Sequence, residues 1–260
     1  MRRMLLIGIG AGDPQYVTQQ AVRALNEVDV FFVMEKGEEK DDLVALRRAV
    51  CERFIEDESY RIVAVRDPER DRSAAAYASA VDDWRRERAQ IWERLICDEL
   101  DESGVGAILV WGDPSLYDST LAIIDAIRAA GRVQFAVEVI PGISAIAALC
   151  ARHAIALNRV GAAVHVTTGR RLAREGFPDN APDVIVMLDA HCAFTALRDE
   201  PIDIYWGAYL GTPDEILVDG ALREVADEIV RVRAAARERK GWIMDTYLLR
   251  RRAPAIPTEA

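Results

Sequence analysis

Three short segments carry residue types that bring a polar ligand against main chain. They are Gly8-Ile9-Gly10-Ala11-Gly12-Asp13-Pro14, Gly112-Asp113-Pro114-Ser115-Leu116-Tyr117 and Pro141-Gly142-Ile143-Ser144-Ala145. Glycine admits φ > 0 and lets a ligand approach backbone N–H groups, while proline fixes φ beside it. An aspartate in such a loop either ties the turn or meets a hydroxyl.

The first glycine run invites a dinucleotide reading and does not satisfy it. That fingerprint wants GxGxxG running straight into a helix. Here Asp13-Pro14 falls across the third-glycine position, and helical spacing begins only near Thr18. Metal chemistry finds no motif: His153, His165 and His191 form no HExxH-like pattern. Cys51, Cys97, Cys150 and Cys192 make no CxxC pair, and their spacing suggests neither a zinc site nor a disulfide framework. His191 follows the apolar run VIVMLDA and stands at a strand end, where a structural role is the simpler reading.

The elements that must position these loops follow from periodicity. Met4 to Ile9, Val28 to Met34, Arg61 to Val65, Gly106 to Trp111 and Gln134 to Ile140 are short apolar runs, as buried strands require. Between them lie helical patterns: Thr18 to Asn26, Asp41 to Phe54, Ser73 to about Leu100, and Ser119 to Ala130. A βαβα alternation predicts a mainly parallel sheet over residues 1–141. Trp84 and Trp92 fall on the apolar stripe of the long helix and read as packing residues.

The second half, 142–260, predicts a further α/β domain with a mixed sheet. Its strands are Ala162 to Thr167, Val184 to Leu188, Ile202 to Trp206, a short one after Val218, and Trp242 to Leu249. A helix spans Ala221 to Arg233. The tail from Ala253 carries two prolines and is expected to fray.

Composition sets the outer limits. The 260 residues are 51% hydrophobic and 29% charged, which describes a globular chain with a substantial core. The net charge of −10 argues against general affinity for nucleic acid or anionic lipid. No apolar run approaches the roughly 20 residues of a membrane span. The short apolar N-terminal stretch reads as a first strand rather than a signal sequence, so a cytoplasmic location is expected.

Taken together, the three loops resemble the tetrapyrrole methylase family, the S-adenosylmethionine-dependent enzymes of the sirohaem and cobalamin pathways. That family opens with GxGPGDP and a following LT; here GIGAGDPQYVT spans Gly8 to Thr18, with Ala11 in place of the usual proline. Its middle loop is matched by GDPSLYDS at Gly112 to Ser119, with Asp118 where glycine is usual. Its junction, PGISA, is Pro141 to Ala145. The segments Phe31 to Cys51 and Val110 to Thr120 resemble the subgroup that methylates C-1 of precorrin-5.

The resemblance implies two α/β domains with the cofactor in the cleft between them, and usually a homodimer. It implies S-adenosylmethionine as methyl donor and S-adenosylhomocysteine as product. Carried over by position, cofactor contacts would come from Gly10, Ala11, Trp111, Gly112, Asp113 and Leu116. Ser144, Ala145, Met187 or Leu188, Gly211 and Thr212 would complete them. A polycarboxylate tetrapyrrole calls for guanidinium groups, and Arg70, Arg72, Arg170, Arg171 and Arg174 are the candidates. The implied reaction is methylation of C-1 with release of an acetyl group as acetate. That release would need a general base, and Asp113, Tyr117 and Glu35 are the candidates, in that order. The plainer readings are loop architecture for Asp113 and a solvated loop charge for Glu35. Its rivals are a sister methyltransferase acting at another ring carbon, an NAD(P) oxidoreductase using Gly8 to Gly12, and a non-catalytic regulator that binds the same cofactor.

Overall fold

The computed structural model describes residues 1–35, 41–57, 59–68 and 77–252. The chain divides into two compact units, Met1–Ser144 and Ala145–Ala260.

The first unit alternates strand and helix: β1 (Arg2–Gly8), α1 (Gln19–Leu25), β2 (Val30–Glu35), α2 (Asp41–Phe54), β3 (Arg61–Arg66), α3 (Tyr77–Glu99), β4 (Val105–Val110), α4 (Thr120–Ala130) and β5 (Phe135–Ile140). The five strands form one parallel sheet in the order β3-β2-β4-β1-β5. Both faces are covered, which is why β1 reads as a continuous apolar run. Met4 and Leu6 face Trp92 and Ile96 of α3 and Ile123 and Ile127 of α4. Leu5 and Ile7 face Ala21 and Leu25 of α1 and Val50 of α2.

Local chemistry sets the helix ends. Thr18 caps α1 by accepting from the Ala21 N–H at 3.0 Å, a contact worth about 1 kcal/mol. Gly131, left-handed at φ 67°, ends α4. On α3, Trp92 is buried and meets Phe32 edge to face at 6.0 Å. Trp84 carries the Arg88 guanidinium over its ring at 4.3 Å.

The second unit contains α5 (Ala145–Arg152), β6 (Val164–Thr168), α6 (Gly169–Glu175), β7 (Asp183–Met187), β8 (Ile202–Ala208), β9 (Ile216–Ala221), α7 (Leu222–Lys240) and β10 (Asp245–Arg251). Its sheet order is β6-β7-β10-β8-β9. The β6–β7 pair is parallel and the other three pairs are antiparallel, so the sheet is mixed. Trp206 and Tyr247 are fully buried in its core, and burial of such a ring stabilises by about 1.5–3 kcal/mol.

Helices α7 and α6 depart most from the sequence expectation. Helix α7 runs to Lys240 rather than stopping at Arg233, because Arg233 and Ala236 are buried and Gly241 caps it at φ 74°. Helix α6 was not expected; with only seven residues, three of them Arg, it offers little periodicity to read.

Candidate active site

All five strands of the first sheet point the same way, so the loops after β1, β4 and β5 gather at one edge. Ligands of open α/β sheets bind at that carboxyl edge. The helices after β1 and β4 lie on opposite faces of the sheet, so the chain parts between these adjacent strands. There Gly10 and Gly112 exchange two backbone hydrogen bonds, N to O, at 3.2 and 2.9 Å. The two loops are thereby sewn together where a dinucleotide phosphate would otherwise enter. Helix α1 also begins ten residues beyond Ile9, after a 3-10 turn at Pro14–Tyr16. Both features count against the oxidoreductase reading.

The two GDP loops use their aspartates alike. Asp13 Oδ1 accepts from Gln15 N at 2.8 Å, and Asp113 Oδ1 accepts from Ser115 N at 2.9 Å. Asp113 does more: it also takes the Ser115 hydroxyl, and its Oδ2 accepts from Gly142 N at 2.9 Å. Burial pushes its pKa up, yet the bonds from Ser115 and Gly142 outweigh this and hold the carboxyl below the ordinary value. Its lone pairs are thus engaged in holding two loops. Tyr117 has left-handed backbone (φ 51°) and an exposed side chain.

Around these, Ala11 is buried, while Trp111, Leu116 and Ser144 are half-buried. Glu35 ends β2 exposed, and its carbonyl accepts from Asp67 N at 2.8 Å. Asp67 is held by the buried Arg88 at 2.7 Å. Arg70 and Arg72 lie outside the described residues.

In the second sheet, Thr168, Met187 and Ala208 end β6, β7 and β8 at one edge. Thr246 of β10 pairs with Met187 on one side and Gly207 on the other. The residues after β7 and β8 both have positive φ: Leu188 at 53° and Tyr209 at 49°. Such strain in non-glycine residues persists only where the surroundings enforce it, and it concentrates at binding sites. Leu188 is 66% exposed, a large apolar side chain held out from the sheet edge. Gly211 N donates to Glu215 Oε2 at 2.9 Å, and the Thr212 hydroxyl to Tyr209 O at 2.8 Å. An exposed leucine beside these main-chain turns offers an apolar surface next to backbone polar groups.

Of the arginines, Arg170, Arg171 and Arg174 all lie exposed on α6. Arg171 and Arg174 both bond Glu175, at 2.9 and 2.6 Å. Those two bonds, Arg174's first, lower the Glu175 pKa. His191 is exposed, and its N–H donates to Asp189 Oδ1 at 2.9 Å.

Sequence reasoning passed over a buried polar network behind Leu188. Asp189, Tyr247, Arg233 and Asp245 form it, and Arg233 Nε meets Asp245 Oδ2 at 2.8 Å. Only the run of apolar residues broken by Asp189 in VIVMLDA signalled it. Among the described residues no group of three His, Cys, Asp or Glu stands close enough to hold a metal ion, and no helix is long and apolar enough to cross a membrane.

The profile of the Tetrapyrrole (Corrin/Porphyrin) Methylases matches residues 3–226. The chain belongs to the tetrapyrrole methylases. It is 50% identical over 253 residues to a Sinorhizobium protein named precorrin-6A synthase [deacetylating], covering 97% of each chain. A crystal structure of a putative cobalamin synthesis related protein (CobF) from Corynebacterium diphtheriae superposes with TM-score 0.82 at 38% identity, over 96% of this chain and 98% of that one. Uroporphyrin-III C-methyltransferase from Thermus thermophilus, solved with S-adenyl homocysteine, shares the fold: TM-score 0.56 at 19% identity, over 95% and 91%. This tetrapyrrole methylase is a methyltransferase by membership and by its full-length relative.

Proposed function

We propose that this tetrapyrrole methylase transfers a methyl group from S-adenosylmethionine to C-1 of precorrin-5 and releases acetate, giving precorrin-6A in aerobic cobalamin synthesis. The observation that carries the reading is the 50% identity to the Sinorhizobium enzyme over 97% of both chains. The relative aligns almost end to end, so the likeness extends well beyond the shared loops.

The cofactor, when bound, supplies a methyl group already activated by its sulfonium. The chain's own residues hold and orient the reactants and keep water out. Gly10, Ala11, Trp111, Gly112 and Leu116 of the first unit and Ser144 at its end offer backbone and apolar contact. Ala145, Met187, Leu188, Gly211 and Thr212 of the second unit do the same. Asp113 works by fixing the loop, since three donors occupy its carboxylate. Arg170, Arg171 and Arg174, with Arg70 and Arg72, pair with substrate carboxylates.

Acetate release needs water to add to the acetyl carbonyl. The carbon–carbon bond to the ring then breaks, its electron pair stays on the macrocycle, and a base takes the proton of the water. Asp113, Tyr117 and Glu35 are the candidates for that base; Asp113 already accepts three hydrogen bonds, while Tyr117 and Glu35 are exposed. The active form is a cytoplasmic homodimer, which sedimentation of the purified protein tests for assembly.

Mass spectrometry after incubation with precorrin-5 and S-adenosylmethionine tests the reaction. One methyl gained, one acetyl lost and acetate released is the expected result. A methyl gained with the acetyl retained would leave a sister enzyme acting elsewhere on the ring.

A further inference from the structure

Leu188 is held in a conformation that leucine avoids, and the structure shows what holds it. The next residue, Asp189, is 5% exposed, and its carboxylate is saturated by its neighbours. Oδ1 accepts from His191 N at 2.9 Å; Oδ2 accepts from Ala193 N at 2.6 Å and from the Tyr247 hydroxyl at 2.6 Å. The Asp189 carbonyl accepts from Arg233 at 2.6 Å, and Arg233 is itself clamped by Asp245. The start of α6 packs on the same carboxylate: a Cβ on Gly169 would lie 2.4 Å from Asp189 Cγ.

Tyr247 belongs to β10, 58 residues from Asp189, and its ring is fixed edge to face against Phe194 at 5.2 Å. A buried hydroxyl donating to a carboxylate is among the stronger hydrogen bonds in a protein. With the bonds from His191 N and Ala193 N, it fixes the Asp189 side chain next to Leu188, which stands at φ 53°. The core of the second unit therefore dictates the posture of an exposed residue at the sheet edge.

We infer that the Tyr247–Asp189 pair is a positioning device for cofactor binding, acting through Leu188. The inference rests on the proposed assignment of Leu188 to the S-adenosylmethionine site. Neither Tyr247 nor Asp189 touches the ligand; they keep Leu188 presented to its nucleoside portion.

The test is calorimetric binding of S-adenosylhomocysteine to four full-length proteins: wild type, Tyr247→Phe, Leu188→Gly and the double variant. Glycine tolerates the left-handed turn and removes the side chain. Tyr247→Phe should weaken binding about fivefold to tenfold. The double variant should bind no more weakly than Leu188→Gly alone, because both changes remove one effect. Wild-type affinity in Tyr247→Phe with its fold intact, or losses that multiply in the double variant, would overturn the inference. Wild type that binds no S-adenosylhomocysteine would instead remove the underlying assignment, and the inference with it. Should Tyr247→Phe fail to fold, the exposed position itself carries the test. β-branched Leu188→Val resists positive φ and should bind S-adenosylhomocysteine about fivefold or more weakly than wild type. Wild-type affinity in Leu188→Val would overturn the inference as well.

Discussion

The backbone N–H of Gly142 donates to Asp113 Oδ2 at 2.9 Å, so one carboxylate ties the turn after β5 to the loop after β4. Asp113→Ala would strand the Gly142 donor and free the Ser115 turn. We expect a loss of about 1–3 kcal/mol of stability, read by urea unfolding. S-adenosylhomocysteine affinity should fall with it, and Asp113→Asn, which keeps one oxygen, should lose less.

The same bonds set a pH dependence. The folded pKa of Asp113 is depressed, so its contribution is complete above the ordinary value of 3.8 and disappears as pH falls through the lower folded value. Melting temperatures of wild type and Asp113→Ala should differ more at neutral pH than in strong acid. A constant difference across that range would contradict this account.

Gly142 allows no side chain at all. A Cβ there would lie 2.0 Å from the Gly112 carbonyl oxygen, a main-chain atom of the neighbouring loop. Gly142→Ala should cost about 3 kcal/mol or more, or prevent folding, as seen in a thermal melt. The loops would have to part for the variant to fold.

The cysteines should differ sharply in reactivity. Cys97 is exposed, while burial pushes the Cys51 thiol up to about 11 and raises Cys150 and Cys192 too. Only the thiolate reacts, so one thiol, Cys97, should label quickly at pH 8. Peptide mapping should find Cys51 labelled only after unfolding.

Arg170→Ala should raise KM for the tetrapyrrole about tenfold while leaving S-adenosylhomocysteine affinity unchanged. Arg198, which pairs with Asp227 on the surface, provides the control. Steady-state kinetics with each reactant varied in turn separates the two effects. An unchanged KM would take α6 out of the substrate site.

Much of the fold was legible because its signals are local. The first sheet's strands are short apolar runs between helical patterns, and a strand buried on both faces has no polar residue to confuse the reading. Thr18 announced the start of α1 by a contact three residues away. Helix α6 was missed because seven residues give fewer than two turns of periodicity. The end of α7 was misplaced because a buried arginine, Arg233, reads as surface until its partner Asp245 is seen.

The site divides in the same way. From residue type and order alone came the three Gly/Pro loops, their place at strand ends and the family they resemble, because conformational demands on glycine and proline act within a few residues. Only tertiary structure brought the Gly142 N–H to Asp113 Oδ2, 29 residues away. Only tertiary structure brought Tyr247 to Asp189 across 58 residues. A hydrogen bond between distant strands depends on sheet order and register, and neither is written in the spacing of the residues it joins.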